Sequence, residues 1–132
     1  MARGEDIIQI DICRYLARSL PIGAVYHSVP NGMHLAGDAA KRAGKMRLLK
    51  DTGLRAGASD LTVLWNGRRI DFEVKSDKGR LSPEQTQFAC DLCAAGGHSF
   101  VVRSVKEVQE ALESFQMPLR NRLIFPPIAA AA

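Results

Sequence analysis

The stretch Arg55–Gln87 decides the fold: R-A-G-A-S-D-L-T-V-L-W-N-G-R-R-I-D-F-E-V-K-S-D-K-G-R-L-S-P-E-Q-T-Q. In it, Asn66-Gly67 separates two runs of β-forming residues, Leu61–Trp65 and Arg68–Lys75. This dipeptide favours a two-residue hairpin loop, because a type I′ turn needs positive φ at both central residues. The sequence therefore predicts an antiparallel β-hairpin.

A two-residue loop fixes which residues face each other across the hairpin. Side chains alternate between the faces of a strand, so one face is apolar and is expected to belong to the core. Its residues are Leu61, Val63, Trp65, Ile70, Phe72 and Val74. On the other face Asp60 is expected opposite Glu73, with Lys75 two residues beyond. Because opposed like charges are destabilising, the two carboxylates predict a bound hard cation such as Mg²⁺.

The motifs of this stretch resemble those of the PD-(D/E)XK nucleases, and more closely their VRR-NUC (virus-type replication-repair nuclease) branch. The resemblance rests on Asp60 followed by Glu73-Val74-Lys75. It extends to two longer strings, K-x-T-G-L-R-A-G-A-S-D-L and F-E-V-K-S-D-K-G-R-L-S-P-E-Q, and covers about residues 5 to 112. Ser59 departs from the family pattern, in which a proline usually precedes the aspartate.

The resemblance implies a restriction-endonuclease-like fold and a DNA nuclease that depends on Mg²⁺ or Mn²⁺. The catalytic residues that it implies are Asp60, Glu73, Lys75 and Gln85. The implied metal ligands are Asp60, Glu73, the backbone carbonyl of Val74 and, through water, Glu5.

Two of these residues also have a purely structural interpretation. Glu5 opens a predicted helix over residues 5–20, where a solvated carboxylate favours the helix dipole. For Glu5 both interpretations stay open. Gln85 completes a capping box that begins at Ser82-Pro83, which is a sufficient reason for its presence. The two roles of Gln85 are compatible, because a helix N-terminus also attracts phosphate.

The whole chain predicts an α/β domain with a central mixed sheet and the order α-β-α-β-β-α-β-α. Beyond the hairpin and the first helix, the further elements are a strand at Ala24–Val29, helices at 38–52, 82–95 and 105–115, and a strand at Ser99–Arg103. Residues 1–117 are expected to form the nuclease domain. The apolar tail, 118–132, is expected to pack at a dimer interface.

Basic residues cluster in the second predicted helix, in a chain of net charge +4. Lys and Arg neutralise phosphates without reading sequence, so we interpret this helix as a DNA-contacting face and keep a solvated face as the alternative. Met46, Leu48 and Leu49 are its apolar positions. The residues predicted to contact DNA are Lys41, Arg42, Lys45, Arg47, Lys50, Arg55, Lys78 and Asn31, the last in a P-N-G turn that the family also has.

Three cysteines in a chain without a signal-peptide pattern predict free thiols. Cys90-x-x-Cys93 lies mid-helix without a second Cys/His pair, so buried structural cysteines are favoured over a zinc site. The start M-A-R-G-E-D lacks an apolar segment and no run is long enough to span a membrane. A cytoplasmic protein without a membrane partner is therefore expected.

Small stand-alone members of the VRR-NUC family act on branched DNA as dimers. The resemblance therefore implies a homodimer and favours Holliday junctions in phage or bacterial replication or repair. Two alternatives remain: a catalytically silent DNA-binding module with the same fold, and a general nickase or RNase. The carboxylate pair on the hairpin argues against the first, because a silent binder does not need it.

Overall fold

The structure is a computed structural model that describes residues 4–30 and 37–127. Its helices and strands are α1 (Gly4–Ser19), β1 (Val25–Ser28), α2 (Ala39–Asp51), β2 (Leu61–Trp65), β3 (Arg68–Val74), α3 (Pro83–Ala94), β4 (His98–Val102) and α4 (Val105–Ser114). This is the predicted order of elements. Within the described ranges, no helix has the length and apolar character needed to cross a membrane.

The four strands form one mixed sheet in the order β1-β2-β3-β4. The first three strands pair antiparallel and β4 joins β3 in parallel, so the predicted mixed sheet is confirmed. The hairpin has the predicted register, with Leu61 opposite Phe72 and Trp65 opposite Arg68. Its loop residues Asn66 and Gly67 have φ of 51° and 73°, as a type I′ turn requires.

The apolar face of the sheet packs against α1 and α4. Fully buried residues include Ile12 and Leu16 of α1, Ile70 and Phe72 of β3, and Leu112 of α4. Burying each such side chain stabilises the fold by about 1.5–3 kcal/mol relative to exposure. On the opposite face of the sheet, α3 brings polar side chains against β3. One face of the sheet therefore supplies stability and the other carries charged groups.

The segment 118–127 is tied to its own chain. Arg120 donates hydrogen bonds to two backbone carbonyls near the end of α1. The buried amide of Gln109 donates to the Leu123 carbonyl at 2.7 Å and accepts from the Leu123 N–H at 2.8 Å. These contacts do not test the dimer contact expected for the tail, which stays a prediction. Residues 128–132 lie outside the described residues.

Helix α2 does not belong to the hydrophobic core. It begins and ends as predicted, with Asp38 as N-cap and Gly53 following at φ +110°. None of its described residues is buried, however, and Leu48 is 63% exposed. The reason is that apolar and basic residues are spread around the whole helix, so no apolar stripe faces the sheet.

The expectation of buried cysteines is wrong for two of the three. Cys90 and Cys93 are exposed, and only Cys13 is half-buried. On α3 the inward positions belong to Phe88 and Leu92, and the two cysteines occupy the outward side of the same turns.

The loop between α2 and β2 touches the start of α3 through Gly57. Gly57 has φ +82°, and a Cβ placed there would lie 2.2 Å from the Glu84 carbonyl oxygen and 2.7 Å from the Gln85 nitrogen. Only glycine permits this approach, because backbone atoms cannot yield as a flexible side chain would. The contact fixes the distance between the loop that carries Asp60 and the helix that carries Gln85.

We predict that Gly57→Ala destabilises the protein more than Gly67→Ala. Both glycines have positive φ, but a Cβ at Gly67 would meet nothing within 4 Å. Gly67→Ala therefore costs only the backbone strain of about 1–2 kcal/mol. Gly57→Ala has the same strain and, in addition, a steric clash of about 1–3 kcal/mol. Urea unfolding of both variants measures the difference. Equal losses of unfolding free energy would contradict the close packing of Gly57.

Candidate active site

A cleft of about 710 Å³ opens where the first turns of α1 and α3 meet the hairpin. It collects every residue that the sequence predicts as catalytic or as a metal ligand: Glu5, Asp60, Glu73, Val74, Lys75 and Gln85. Glu5 lies 55 or more positions before the other five residues in the chain, yet all six line a single cleft. What the structure gives is their common location, and their individual roles stay predictions.

Asp60 is fixed by the strands on either side of it. Its side-chain Oδ2 accepts a hydrogen bond of 2.8 Å from the Val74 N–H of β3. Its backbone carbonyl accepts one of 3.0 Å from the Val29 N–H, just after β1. The Asp60 carboxylate is therefore anchored at the edge of the hairpin, beside Glu73.

Gln85 connects Glu73 to the start of α3. The Gln85 Oε1 accepts from the Ser82 N–H at 2.9 Å, and the Ser82 Oγ accepts from the Gln85 N–H at 3.1 Å. The predicted capping box is therefore present. The Gln85 Nε2 also donates to Glu73 Oε1 at 2.7 Å, so the helix cap holds a carboxylate of the cleft. Gln85 is therefore a helix cap that also contacts Glu73, and its catalytic role stays a prediction.

The Glu73 carboxyl group binds its proton unusually tightly. Burial raises its pKa to about 8, with further contributions from the charge of Asp60 and a hydrogen bond with it. The Lys75 ammonium opposes this rise, and Glu5 adds to it. Without a cation, burial and the neighbouring Asp60 charge thus disfavour the ionised form of Glu73. This is the strain that the hairpin register predicts for Asp60 and Glu73.

Lys75 lies at the floor of the cleft. Its Nζ is 4.0 Å from Glu73 Oε1 and the residue is only 9% exposed. Its backbone N–H donates to the Val102 carbonyl at 3.0 Å, and Gly79 leaves room for its stem, since a Cβ there would lie 3.3 Å from the Lys75 Cβ. The ammonium is therefore held close to where a substrate would approach the carboxylates.

Glu5 lies on the α1 wall of the cleft and is half-buried. Its charge reaches Glu73, since it contributes to the raised pKa of that group. This location favours the interpretation in which Glu5 faces the site over that of a solvated first turn. Its role as a water-mediated ligand stays a prediction.

The carboxylate pair fits a hard divalent ion, although it is not a complete ligand set. Among the described residues, no group of three or more His, Cys, Asp or Glu side chains is arranged to hold a metal ion. Mg²⁺ does not need such a group, because it usually keeps several waters and uses one or two carboxylates with substrate phosphates. The oxygen donors of Asp60 and Glu73 agree with this chemistry.

The described residues that are predicted to contact DNA do not line the cleft. Five of them are on α2: Lys41, Arg42, Lys45, Arg47 and Lys50. Lys78 is exposed in the loop after β3. Asn31 lies outside the described residues.

Arg55 has a structural role that its sequence position did not indicate. Its guanidinium pairs with the Asp91 carboxylate of α3, and this hydrogen bond lowers the pKa of Asp91. It also lies 5.4 Å from the centre of the Phe88 ring, and Arg69 lies 5.9 Å from the same ring. Arg55 therefore joins its loop to α3, and its predicted contact with DNA stays a prediction.

The sequence interpretation missed the length of the α1 wall of the cleft. Gln9, Cys13 and Arg14 line the cleft beyond Glu5. The spacing of Glu5, Gln9 and Cys13 at i, i+4 and i+8 places them on one helix face and was the available signal. Burial raises the pKa of the Cys13 thiol, so it is neutral at ordinary pH.

The sheet and the cleft together define the class of this protein. A mixed four-stranded sheet that brings an aspartate, a glutamate and a lysine together at one hairpin is the arrangement of the PD-(D/E)XK nuclease superfamily. Within that superfamily, a sequence model of the VRR-NUC domain matches residues 8–106. The chain belongs to the VRR-NUC family and contains a nuclease-type domain. Glu5 lies just outside the matched residues.

A solved structure supports the same fold. A protein described as a VRR_NUC domain protein superposes with a TM-score of 0.64 over 87% of this chain and 89% of that chain, at 18% sequence identity. At this identity the likeness shows the fold alone, which is consistent with a restriction-endonuclease-like arrangement. No curated protein matches the chain.

We predict that the stability of the metal-free protein falls as pH rises from about 4.5 to about 8. In this window the folded protein keeps the Glu73 proton, whose pKa is raised from 4.5 to about 8, and the unfolded chain has lost it. The unfolded state then binds fewer protons, so the free energy of unfolding decreases with pH. Glu73→Gln removes this dependence. Urea unfolding in a chelator between pH 4.5 and 8 tests it.

The control is Glu110→Gln, because the Glu110 side chain is 63% exposed. Its pH profile should parallel that of the wild type. A Glu73→Gln profile that also parallels the wild type would contradict the raised pKa.

Proposed function

We propose that this protein is a divalent-metal-dependent endonuclease that hydrolyses phosphodiester bonds in DNA. The observation that carries the proposal is the contact between Asp60 and Glu73, in which burial and a neighbouring carboxylate raise the pKa of Glu73 to about 8. Such a pair is unfavourable to the fold without a cation, and strongly perturbed carboxylates in a cleft mark functional sites. The Lys75 ammonium beside them adds the donor that phosphoryl chemistry uses.

The metal would be Mg²⁺ or Mn²⁺. Asp60 and Glu73 would hold it together with the Val74 carbonyl and, through water, Glu5. Bound there, the ion would supply a Lewis acid for the phosphate and lower the pKa of a coordinated water.

The protein side chains have separate tasks in this proposal. Lys75 donates hydrogen bonds to the attacking water or to the charge that develops on the phosphorane. Gln85 holds the Glu73 carboxylate at 2.7 Å, so that its oxygens keep one orientation. The Val74 N–H does the same for Asp60 at 2.8 Å. Orientation by fixed hydrogen bonds lowers the reorganisation needed during the reaction.

Helix α2 and Lys78 would contact the DNA backbone. The helix carries five basic residues and none of its described residues is buried, so it presents a positively charged surface to solvent. Arg55 would contribute charge next to the cleft while its ion pair with Asp91 holds the loop. Asn31 is part of the same proposal on sequence grounds alone.

Branched DNA is the substrate class that we favour, with the Holliday junction as the first candidate. A two-fold symmetric homodimer suits a junction with two equivalent strands, and the 118–132 segment would contribute to the interface. The setting would be phage or bacterial DNA replication or repair in the cytoplasm. Cleavage of labelled four-way, flap, nicked and duplex substrates with Mg²⁺ or Mn²⁺ tests this choice, and an RNA version of the duplex tests the RNase alternative.

The second candidate is a catalytically silent DNA-binding module. The exposed basic helix α2 would serve such a module equally well. The carboxylate pair would not, because two acidic groups beside a DNA strand weaken binding unless a cation neutralises them. Binding without cleavage of any substrate, with either metal, would favour this candidate over the nuclease.

We predict that Lys75→Met abolishes cleavage with little change in DNA binding. The ammonium is expected to act on the attacking water and on the charge that develops, and removing such a donor typically lowers the rate by about 10²–10³-fold. The matched control is Lys106→Met, because Lys106 lies on α4, outside the proposed DNA contacts, and its side chain is 40% exposed. Single-turnover cleavage and fluorescence anisotropy measure the two effects. A normal rate in Lys75→Met would reduce Lys75 to a charge partner of Glu73.

We predict that α2 governs affinity and leaves the chemistry unchanged. Arg47→Ala with Lys50→Ala should weaken binding to every substrate and flatten the plot of log K against log salt concentration. Two lost phosphate contacts on duplex DNA correspond to a slope smaller by about 1.8. Arg18→Ala with Lys106→Ala removes the same charge from α1 and α4 and serves as the control. Identical slopes in the two double variants would restore the interpretation of α2 as a solvated face.

A further inference from the structure

The α1 wall of the cleft is longer than the catalytic centre. It runs from Glu5 to Arg14, and at 1.5 Å per residue these nine steps span about 13 Å along the helix axis. Each strand of B-DNA places a phosphate at about every 3.4 Å of helix axis. A DNA strand could lie along this wall with one phosphate at Asp60 and Glu73. Its neighbouring phosphates would then pass the far end of the wall, where Arg14 lies.

Charge changes sign along this wall. Glu5 and Asp6 begin it, the uncharged Gln9, Ile10 and Cys13 follow, and Arg14 ends it. Among the described cleft residues the acidic ones are Glu5, Asp6, Asp60 and Glu73, and the basic ones are Arg14 and Lys75. A DNA strand in the cleft is thus repelled at one end of the wall and attracted at the other.

The two basic side chains of the cleft, Arg14 and Lys75, differ in how easily they could contact a DNA phosphate. Lys75 is 9% exposed and lies beside Glu73, so it is committed to the centre. The Arg14 side chain is 72% exposed and has an exposed i, i+3 pairing with Asp11 at 3.9 Å. Such surface pairs contribute little and are easily exchanged for another anion. Arg14 can therefore turn to a phosphate at the rim without leaving a buried charge behind.

We propose that Arg14 binds a phosphate of the cleaved strand that lies up to about four positions from the scissile one, and sets the direction of that strand along α1. The proposal rests on the nuclease function proposed above. A guanidinium suits this task because it binds phosphate through two parallel hydrogen bonds, which fix direction as well as position. Gln9 and Cys13 then line the nucleotides between the two phosphates without adding charge.

The test is a double-mutant cycle between Arg14 and single phosphates of the DNA. Wild type, Arg14→Ala, Arg14→Lys and the control Arg18→Ala are compared; Arg18 is also exposed on α1 but does not line the cleft. The probe is a fluorescent nicked duplex in which one phosphate at a time, up to four on either side of the cleavage point, is a neutral methylphosphonate. Binding is measured by anisotropy with Ca²⁺ in place of Mg²⁺, and cleavage of the unmodified duplex with Mg²⁺.

Arg14→Ala is expected to bind the unmodified duplex about tenfold more weakly, with a salt slope smaller by about 0.9. Cleavage should show a raised KM and a kcat close to that of the wild type, and Arg14→Lys should recover part of the affinity. One methylphosphonate position should weaken binding of the wild type and leave Arg14→Ala unaffected. That position identifies the phosphate that Arg14 contacts.

The inference is overturned if Arg14→Ala behaves as Arg18→Ala, or if every methylphosphonate weakens both proteins equally. A lowered kcat with unchanged KM would also overturn it, because Arg14 would then act on the chemical step. These results leave the nuclease function standing as long as the wild type cleaves DNA. If the wild type neither binds nor cleaves any substrate, both proposals fail together.

Discussion

The site depends on the enforced contact between two carboxyl groups. Asp60 and Glu73 lie side by side because the hairpin register places them on one face and because hydrogen bonds hold each of them from a different element. Left to themselves, two like charges in a partly buried cleft would move apart. Burial, followed by the charge of Asp60, raises the pKa of Glu73 to about 8 in this arrangement. Local strain of this kind persists only where the surrounding structure over-determines it.

The face of the sheet under α3 supplies much of that restraint. Asp71 is fully buried and accepts two hydrogen bonds of 3.0 Å from the Arg69 guanidinium, which raises the pKa of Arg69. Arg69 and Arg55 both lie against the Phe88 ring. Removing Arg69 would leave the buried Asp71 carboxylate without its charged partner, so this set of contacts resists change. Because it seats α3 on the sheet, it also aims Gln85 at Glu73.

Local signals predicted the elements and the core of the site, but they did not predict distant contacts. Asn66-Gly67 sets a short turn, so the hairpin register and the shared face of Asp60 and Glu73 followed from sequence alone. The requirement for glycine at position 57 could not be predicted in this way, because it comes from contact with the backbone of α3, about 27 residues later in the chain. Arg55 looked like part of a basic cluster, and only the tertiary structure brings Asp91 and Phe88 to it. The exposure of α2 likewise depends on the tertiary structure, in which α1 and α4 cover the apolar face of the sheet.

The acidic cleft and the basic helix α2 are separate features of the surface. Four acidic residues line the cleft, Glu5, Asp6, Asp60 and Glu73, whereas none of the basic residues of α2 does. Without a cation, these acidic groups disfavour a phosphate in the cleft. In the nuclease proposed above, a divalent ion between Asp60 and Glu73 would compete with the proton that the raised pKa of Glu73 retains, because metal binding competes with protonation of its ligands. The ion would offset the charge of the carboxylates and favour DNA in the cleft, and by reciprocity DNA would favour the metal to the same extent. The carboxylate pair would therefore make the two binding events depend on each other.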